Sequence, residues 1–427
     1  MAHKSDINNS FLSMDIIKIY EPYFIIFPDY YKSFCNLLNA VIYKENDSSM
    51  FWKYKLFFGI MASSTLGCEF LLEDFKEIFK SLGGDKSWID EGIKCKNMPE
   101  HIKGMAIINN ILAHKPWVLD WRHFTEFKNG LSTFLFQSAI ILTTIQRFST
   151  ILSTLNLIIN KDEKNINKSE NLDKHNNKKE ENKTVDKINQ ENKFKVGQNE
   201  KNKKENGQIT INQKNEKIEQ RKKNIIALVN DNYAKIKEID ENKGNIIINN
   251  SSFKKYISDL IISYADFNPH IEKYLHEEDF SWKRNAQYFY FDYAGKEMEY
   301  LDKEMKDLEN LNSENTKIDN QKIDIFNLRE IIEKYLKLIY GIKDDEYNYH
   351  LTNELIPVEL KRIIKKISLG PEQIKEQELL SCLEILNIKE FIYLIFIVTS
   401  IKQKISLIFF ARAYDEFTSN NKLMDNK

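Results

Sequence analysis

Three groups of residues in this sequence have types and spacings that could do chemistry. The first is Cys68, in the stretch Gly59–Asp90, GIMASSTLGCEFLLEDFKEIFKSLGGDKSWID. A lone cysteine can reduce peroxides if its thiol pKa is lowered and a neighbour relays the proton to the leaving oxygen. Around Cys68 the sequence offers Leu66, Phe70, Leu72 and Phe75, which are apolar, and Glu69 and Glu73, whose charge raises a thiol pKa. A buried packing cysteine is the competing reading, because free Cys is among the most buried residue types. Counting on from Cys68, apolar residues return at Leu71, Leu72, Phe75, Ile78 and Phe79, which predicts a helix carrying Cys68 on its inner face. Gly83-Gly84 should end that helix, and Asp85 or Ser87 should cap a short one beginning at Trp88 and Ile89.

The second group is Arg329 and Glu390. Leu383, Leu386, Glu390, Leu394 and Ile397 share one helical stripe, so Glu390 lies in line with core residues and needs a partner. Arg329 stands beside Ile325, Leu328, Ile332 and Leu336 at the margin of the helix predicted over Ile323–Ile339. The two could form a structural ion pair. They could equally clamp a zwitterion, the guanidinium taking a carboxylate by two hydrogen bonds and the glutamate taking an ammonium. The third group is the acidic, tyrosine-rich loop YGIKDDEYNYH, Tyr340–His350, which suits a partner surface or a plain helix-ending turn. His114, in LAHKPWVL, would need a nucleophile folded against it to act as a base. The eight histidines and four cysteines show no metal-ligand spacing, and there is no phosphate-binding glycine loop, so neither a metal nor a cofactor is expected.

The elements that must position these groups read as helices. Only 13 glycines and 7 prolines punctuate 427 residues, and the ordered stretches carry helical periodicity with no convincing strand, so the expected class is all-α. Residues 1–12 read as a disordered N-terminus, and 13–160 as a helical domain with segments at Phe24–Tyr43, Phe51–Leu82, Glu100–Ala113, Trp121–Lys128 and Leu131–Ile159. Lys161–Asn224 is dominated by Lys, Asn, Glu and Gln, with too little apolar surface to offset ordering entropy, and is expected to be a disordered insert. A second helical domain follows over 225–418, interrupted by the polar stretch Lys303–Gln321, and 419–427 is a tail. A net charge of -1 gives no field for nucleic acid or an anionic membrane. The cysteines Cys35, Cys68, Cys95 and Cys382 lie far apart, as expected of free thiols in a reducing compartment. The uncharged runs Leu131–Gln146 and Phe391–Ile401 are too short or too polar to span a bilayer, so a soluble intracellular protein is expected.

Five blocks together resemble the sestrin family: FPDYYKSF (Phe27–Phe34), GIMASSTLGC with SLGGDKSW, LAHKPWVL, YGIKDDEYNYH and LIFFARAYDEFT. The resemblance implies two related all-α domains, the first similar to alkylhydroperoxidase D, joined by a long disordered linker. It implies a cytoplasmic stress and amino-acid (leucine) sensor, with the nucleus as a second compartment, that restrains TOR complex 1 through GATOR complexes. By the same resemblance Cys68 matches the peroxidase cysteine, but Phe70 and Phe75 stand where the family has the tyrosine and histidine of the proton relay. Arg329 and Glu390 match the residues that hold the ligand's carboxylate and amine, Leu383 stands at the pocket tryptophan, and Ser313 and Thr316 correspond to the threonine-rich lid. Asp345 and Glu346 match the paired aspartates that contact the GATOR partner. The alternative function is a cysteine-dependent alkyl hydroperoxide reductase.

The composition of Lys161–Asn224 generates a first prediction. Deleting the insert should leave a single cooperative thermal transition for the remaining chain, read by circular dichroism; loss of that transition would show that the segment is needed for folding.

Overall fold

The computed structural model describes residues 15–42, 50–127, 130–180, 251–258, 266–311 and 325–425. The described residues are all-α apart from one pair of two-residue strands. In order, the longer helices are α1 (Asp15–Phe24), α2 (Pro28–Ile42), α3 (Trp52–Thr65), α4 (Glu69–Ser81), α5 (Lys86–Glu91), α6 (Glu100–His114) and α7 (Ser132–Glu180). They are followed by α8 (Gln287–Ala294), α9 (Lys296–Glu309), α10 (Arg329–Ile339), α11 (His350–Leu355), α12 (Val358–Leu369), α13 (Glu376–Ile385) and α14 (Ile388–Asp425). Strands β1 (Leu275–His276) and β2 (Ile342–Lys343) pair in parallel, Leu275 opposite Ile342. This pairing corrects the expectation of no strand: it is too short to leave an alternating pattern in the sequence.

Residues up to Leu155 and from Ile247 onward form one compact unit; the second unit, Asn156–Ile246, is described only in its part of α7. The backbone of α7 continues past Ile159 to Glu180, and the remainder of the Lys/Asn-rich insert lies outside the described residues, as do 1–12. At the other end α14 runs through Ser419 to Asp425, where a tail was expected.

The centre of the compact unit is an antiparallel pair, the N-terminal half of α7 against α14. Ser132 meets Tyr414 by a 2.5 Å hydrogen bond, and eleven to twelve residues further along α7 the Gln403 amide donates to Thr144 Oγ1 at 2.9 Å. By length and composition the two helices could cross a membrane, over Ser132–Ile158 and Ile388–Asn420, which revises the reading from uncharged runs alone. Both apolar windows are buried inside the fold, 100% and 94%, so the core accounts for their hydropathy. Phe136 packs edge-on against Phe410 and Tyr414, and Phe396 of α14 meets Phe24 and Tyr30 of the first two helices.

Polar groups run through this apolar core in a hydrogen-bonded seam, with Arg147 Nε left without a hydrogen-bond partner among the described residues. Arg147 of α7, fully buried, makes two 2.7 Å bonds to the two carboxylate oxygens of Glu304 on α9, and also donates to Tyr30 at 2.8 Å and Gln403 at 3.2 Å. Burial works against the Arg147 charge, but Glu304 and Tyr30 more than offset it and hold the pKa above its ordinary value. Helix α9 therefore passes through Lys303–Glu309, part of the stretch expected to be polar and interrupting. Met298, Leu301, Met305 and Leu308 supply its apolar stripe, and Glu304 is buried within it.

Removing one partner of such a pair strands the other in a dry site, which costs about 3–5 kcal/mol. Glu304→Ala should lower the unfolding free energy by about that amount, whereas Arg147→Met with Glu304→Leu should lose much less. Urea denaturation of the single and double variants checks both; equal losses in all of them would refute this account of the pair.

Candidate functional site

Cys68 is buried, 4% exposed, but it precedes α4 rather than lying on it. Its backbone angles are not helical, its N–H donates to Ser63 at 2.9 Å, and the helix begins at Glu69. The apolar spacing read from Cys68 onward is that of α4, whose Leu71, Leu72, Phe75 and Phe79 are buried. The predicted ends hold: Gly83 has φ 82°, a left-handed angle that favours glycine, and Asp85 Oδ1 accepts from the Ser87 N–H at 2.9 Å. Burial pushes the Cys68 thiol up to about 11, outweighing the backbone of Leu71 and the hydroxyls of Ser149 and Ser153. Phe70 is 40% exposed, and Phe75 is fully buried against the bare Cα of Gly59, where an added Cβ would come within 2.6 Å of the ring. Neither supplies a proton carrier.

His114, at the end of α6, is also held neutral: burial and the charge of Lys402 lower its pKa to about 4. The following Pro116–Val118 turn buries Trp117, whose ring sits edge-on to Phe267 and Tyr340 at 5.8 and 5.9 Å. The most distinctive sequence block is thus a packing corner.

Glu390 is 2% exposed and belongs to a reciprocal cap. The Asn387 N–H donates to Glu390 Oε2 at 2.8 Å, and the Glu390 N–H donates to Asn387 Oδ1 at 3.0 Å, which starts α14. The cap corrects the stripe read from sequence. Leu383 lies on α13, Leu386 is extended, and α14 begins at Ile388, so the five residues do not share one helix. Arg329 is the first residue of α10, preceded by a turn over Ile325–Leu328, where sequence periodicity had placed a helix from Ile323. It is half-buried and donates to the backbone carbonyl of Glu309; among the described residues it has no carboxylate partner. The starts of α10 and α14 are drawn together by Phe326 and Tyr393, stacked at 4.1 Å, three residues before Arg329 and three after Glu390. Leu383 is half-buried on α13. Ser313 and Thr316 lie outside the described residues.

Arg329 opens onto a cavity of about 580 Å³ walled almost entirely by charge. Glu277 takes both Lys334, at 2.9 Å, and Lys337, at 2.7 Å; Lys337 also reaches Glu333 at 2.8 Å, and Lys334 reaches Asp344. Burial would raise the Glu333 carboxyl, yet Lys404 and Lys337 hold it down to about 2. Asp345 and Glu346 form another part of the rim, both exposed. Asp345 is paired with Lys343 and His276, and Glu346 donates its N–H to Asp344 Oδ1 at 3.1 Å. Sequence reasoning missed this network because Glu277 and its lysines meet only through the β1–β2 pairing, although the charged i, i+3 and i, i+4 positions of α10 were visible. Glu390 and Leu383 are not in the wall of this cavity.

The titration behaviour has a sign that can be checked. Cys35 and Cys68, at about 11, and Cys382, at about 12, are raised by burial, so their contribution to stability is present below the unfolded thiol pKa of about 8.5 and lost as pH rises through those values. His114, depressed to about 4, acts on the other side. Its contribution is present above the unfolded value of about 6.5 and lost as pH falls through 4. Urea midpoints should therefore fall on both flanks, and native Cys68 should alkylate far more slowly at neutral pH than a free thiol. Rapid, stoichiometric labelling of Cys68 in the folded protein would contradict the buried, neutral thiol.

A family model described as PA26 p53-induced protein (sestrin) matches residues 2–418. Sestrin-2 of Bos taurus is 20% identical over 369 residues, covering 81% of this chain and 74% of that protein. Sestrin-3 of Mus musculus is 22% identical over 355 residues, covering 74% and 68% respectively. With Sestrin-2 of Homo sapiens the match is 27% over 130 residues, so the chain spans 26% of that relative's length and 29% of its own. The family match runs through both halves of the fold, from the first helices to the end of the buried part of α14, and the chain belongs to the sestrin family.

Proposed function

We propose that this sestrin is a binding regulator: a cytoplasmic stress and amino-acid sensor that takes a free apolar amino acid such as leucine and restrains TOR complex 1 through a GATOR-type complex. The observation that carries the reading is Arg329, a cation at the wall of a roomy cleft with no carboxylate of its own among the described residues. A ligand carboxylate is the natural complement of such a group, since guanidinium binds it through two parallel hydrogen bonds. Glu390 is the proposed acceptor for the ammonium, on the helix start that the Phe326–Tyr393 stack draws towards that of Arg329, with Leu383 as apolar lining and Ser313 and Thr316 as lid residues. Asp345 and Glu346, exposed on the rim of the same cleft, are the proposed contact with the partner. The peroxidase alternative is not favoured by any of these features: the Cys68 thiol is buried and protonated, and its relay positions are phenylalanines.

Glu390 also caps α14, so replacing it alters stability whether or not it binds a ligand; Arg329 gives the cleaner test. Arg329→Ala should change unfolding free energy by no more than about 0.5 kcal/mol, as surface substitutions do. It should also abolish the stabilisation by leucine, which for a ligand at 100 times its dissociation constant amounts to about 2.7 kcal/mol. Calorimetry with leucine, isoleucine, valine and methionine reads the binding directly. Absence of heat with all four, together with a strongly destabilising Arg329→Ala, would leave Arg329 a purely structural residue. Separately, Asp345→Ala with Glu346→Ala should reduce capture of a GATOR-type complex without shifting the melt; unchanged capture would remove the partner role.

A further inference from the structure

The pairing of β1 with β2 sorts the side chains that follow it. Leu275 N–H donates to the Gly341 carbonyl and Glu277 N–H to the Lys343 carbonyl, both at 2.8 Å, which fixes an extended backbone through His276. Successive side chains of extended backbone point to opposite faces. Glu277 turns to Lys334 and Lys337, and the turn that follows, closed by the Asp279 N–H donating to the His276 carbonyl at 3.0 Å, brings Glu278 beside His276. The turn after β2, held by Asp344 Oδ1 accepting from the Glu346 N–H, carries Asp345 back onto His276. One imidazole and two carboxylates thereby converge, with their candidate ligand atoms all within 4.8 Å of one another.

We propose that His276, Glu278 and Asp345 form a binding site for a divalent transition-metal ion, zinc being the best match. One nitrogen and two carboxylate oxygens suit Zn²⁺, which is bound at about 2.0–2.2 Å by both kinds of ligand and takes a fourth from water or another molecule. Tetrahedral bonds of that length space the ligand atoms by about 3.3 Å, so the side chains need to close by only a small movement. Glu278 and Asp345 are exposed and His276 half-exposed, which leaves them free to make it. Without metal, Lys343 and His276 share the Asp345 carboxylate. The ion takes over that neutralising role, and Lys343, a long side chain beside solvent, swings away. The proposal does not require amino-acid binding at Arg329, although Glu278 and Asp345 line the same cavity and Asp345 is also the proposed partner contact.

The test uses the full chain with metal alone and no amino acid present. Zinc affinity is measured by competition with a chromophoric chelator, and geometry by the visible d–d absorption of bound Co²⁺. The native protein should bind one Zn²⁺ per chain and give a cobalt band displaced by zinc. His276→Gln and Asp345→Asn should each weaken zinc binding by about tenfold or more, a loss at least equal to that of removing an outer-shell partner. Their apo melting temperatures should stay close to native. The exposed His270→Ala serves as a control and should bind as the native chain does. Should one substitution unfold the protein, the other still decides. No cobalt band, or zinc affinity unaffected by the folded variants, would overturn the site; binding lost equally in His270→Ala would show only general surface chelation and overturn it too.

Discussion

The bidentate bond between Arg147 and Glu304 is the constraint on which the rest of the compact unit depends. It lies at full burial between two helices distant in sequence, where either charge alone would be untenable, so α7 and α9 must be docked together in one register before the core can close. Tyr30 and Gln403 accept two further bonds from the terminal nitrogens of the guanidinium and thereby bring α2 and α14 into the same arrangement. Leu, Ile and Phe contacts would tolerate sliding between such long apolar helices. A planar group held by four bonds to three fixed partners does not.

The same electrostatic logic separates the interior from the cleft. Inside, the Arg147–Glu304 charges are matched to each other and dry; the buried Lys55–Glu297 pair at 3.5 Å is a second instance. Around the cleft the matching is shared, with Glu277 and Glu333 each serving more than one lysine. Shared partners allow a newcomer's charge to be accommodated by redistribution, without exposing a bare ion. That is why a roomy, charged cavity beside Arg329 is a better host for a polar ligand than the tightly paired seam of the core.

Much of the architecture was legible in the sequence because it rests on period and punctuation. The apolar face of α4, its Gly83 end and the Asp85 cap follow from rules that act over a few residues, and so does the all-α class. What escaped was set by partners remote in sequence. The interruption assigned to Lys303–Gln321 was overturned over its first turns by Glu304, a charged residue whose burial depends on Arg147, 157 positions away. Periodicity through Leu383–Ile397 looked unbroken because Asn387 and Glu390 begin a new helix in phase with the old pattern. For the candidate site, Arg329 was singled out from helical spacing and the family resemblance, and Asp345 from that resemblance, but the lysine–glutamate wall between them was not, since β1 and β2 are too short to register as strands.

The close approach of Phe75 to Gly59 bears on how this chain could change over time. The phenyl ring of Phe75 fills its space against a residue with no side chain, and Gly59 offers it nothing polar. Replacing Phe75 alone by histidine would bury two ring nitrogens in a space shaped for carbon, and enlarging Gly59 alone would collide with the ring. The two positions therefore act as a ratchet: each holds the other in its present state, and placing a proton carrier beside Cys68 at this point would pass through less stable intermediates, however simple the codon changes.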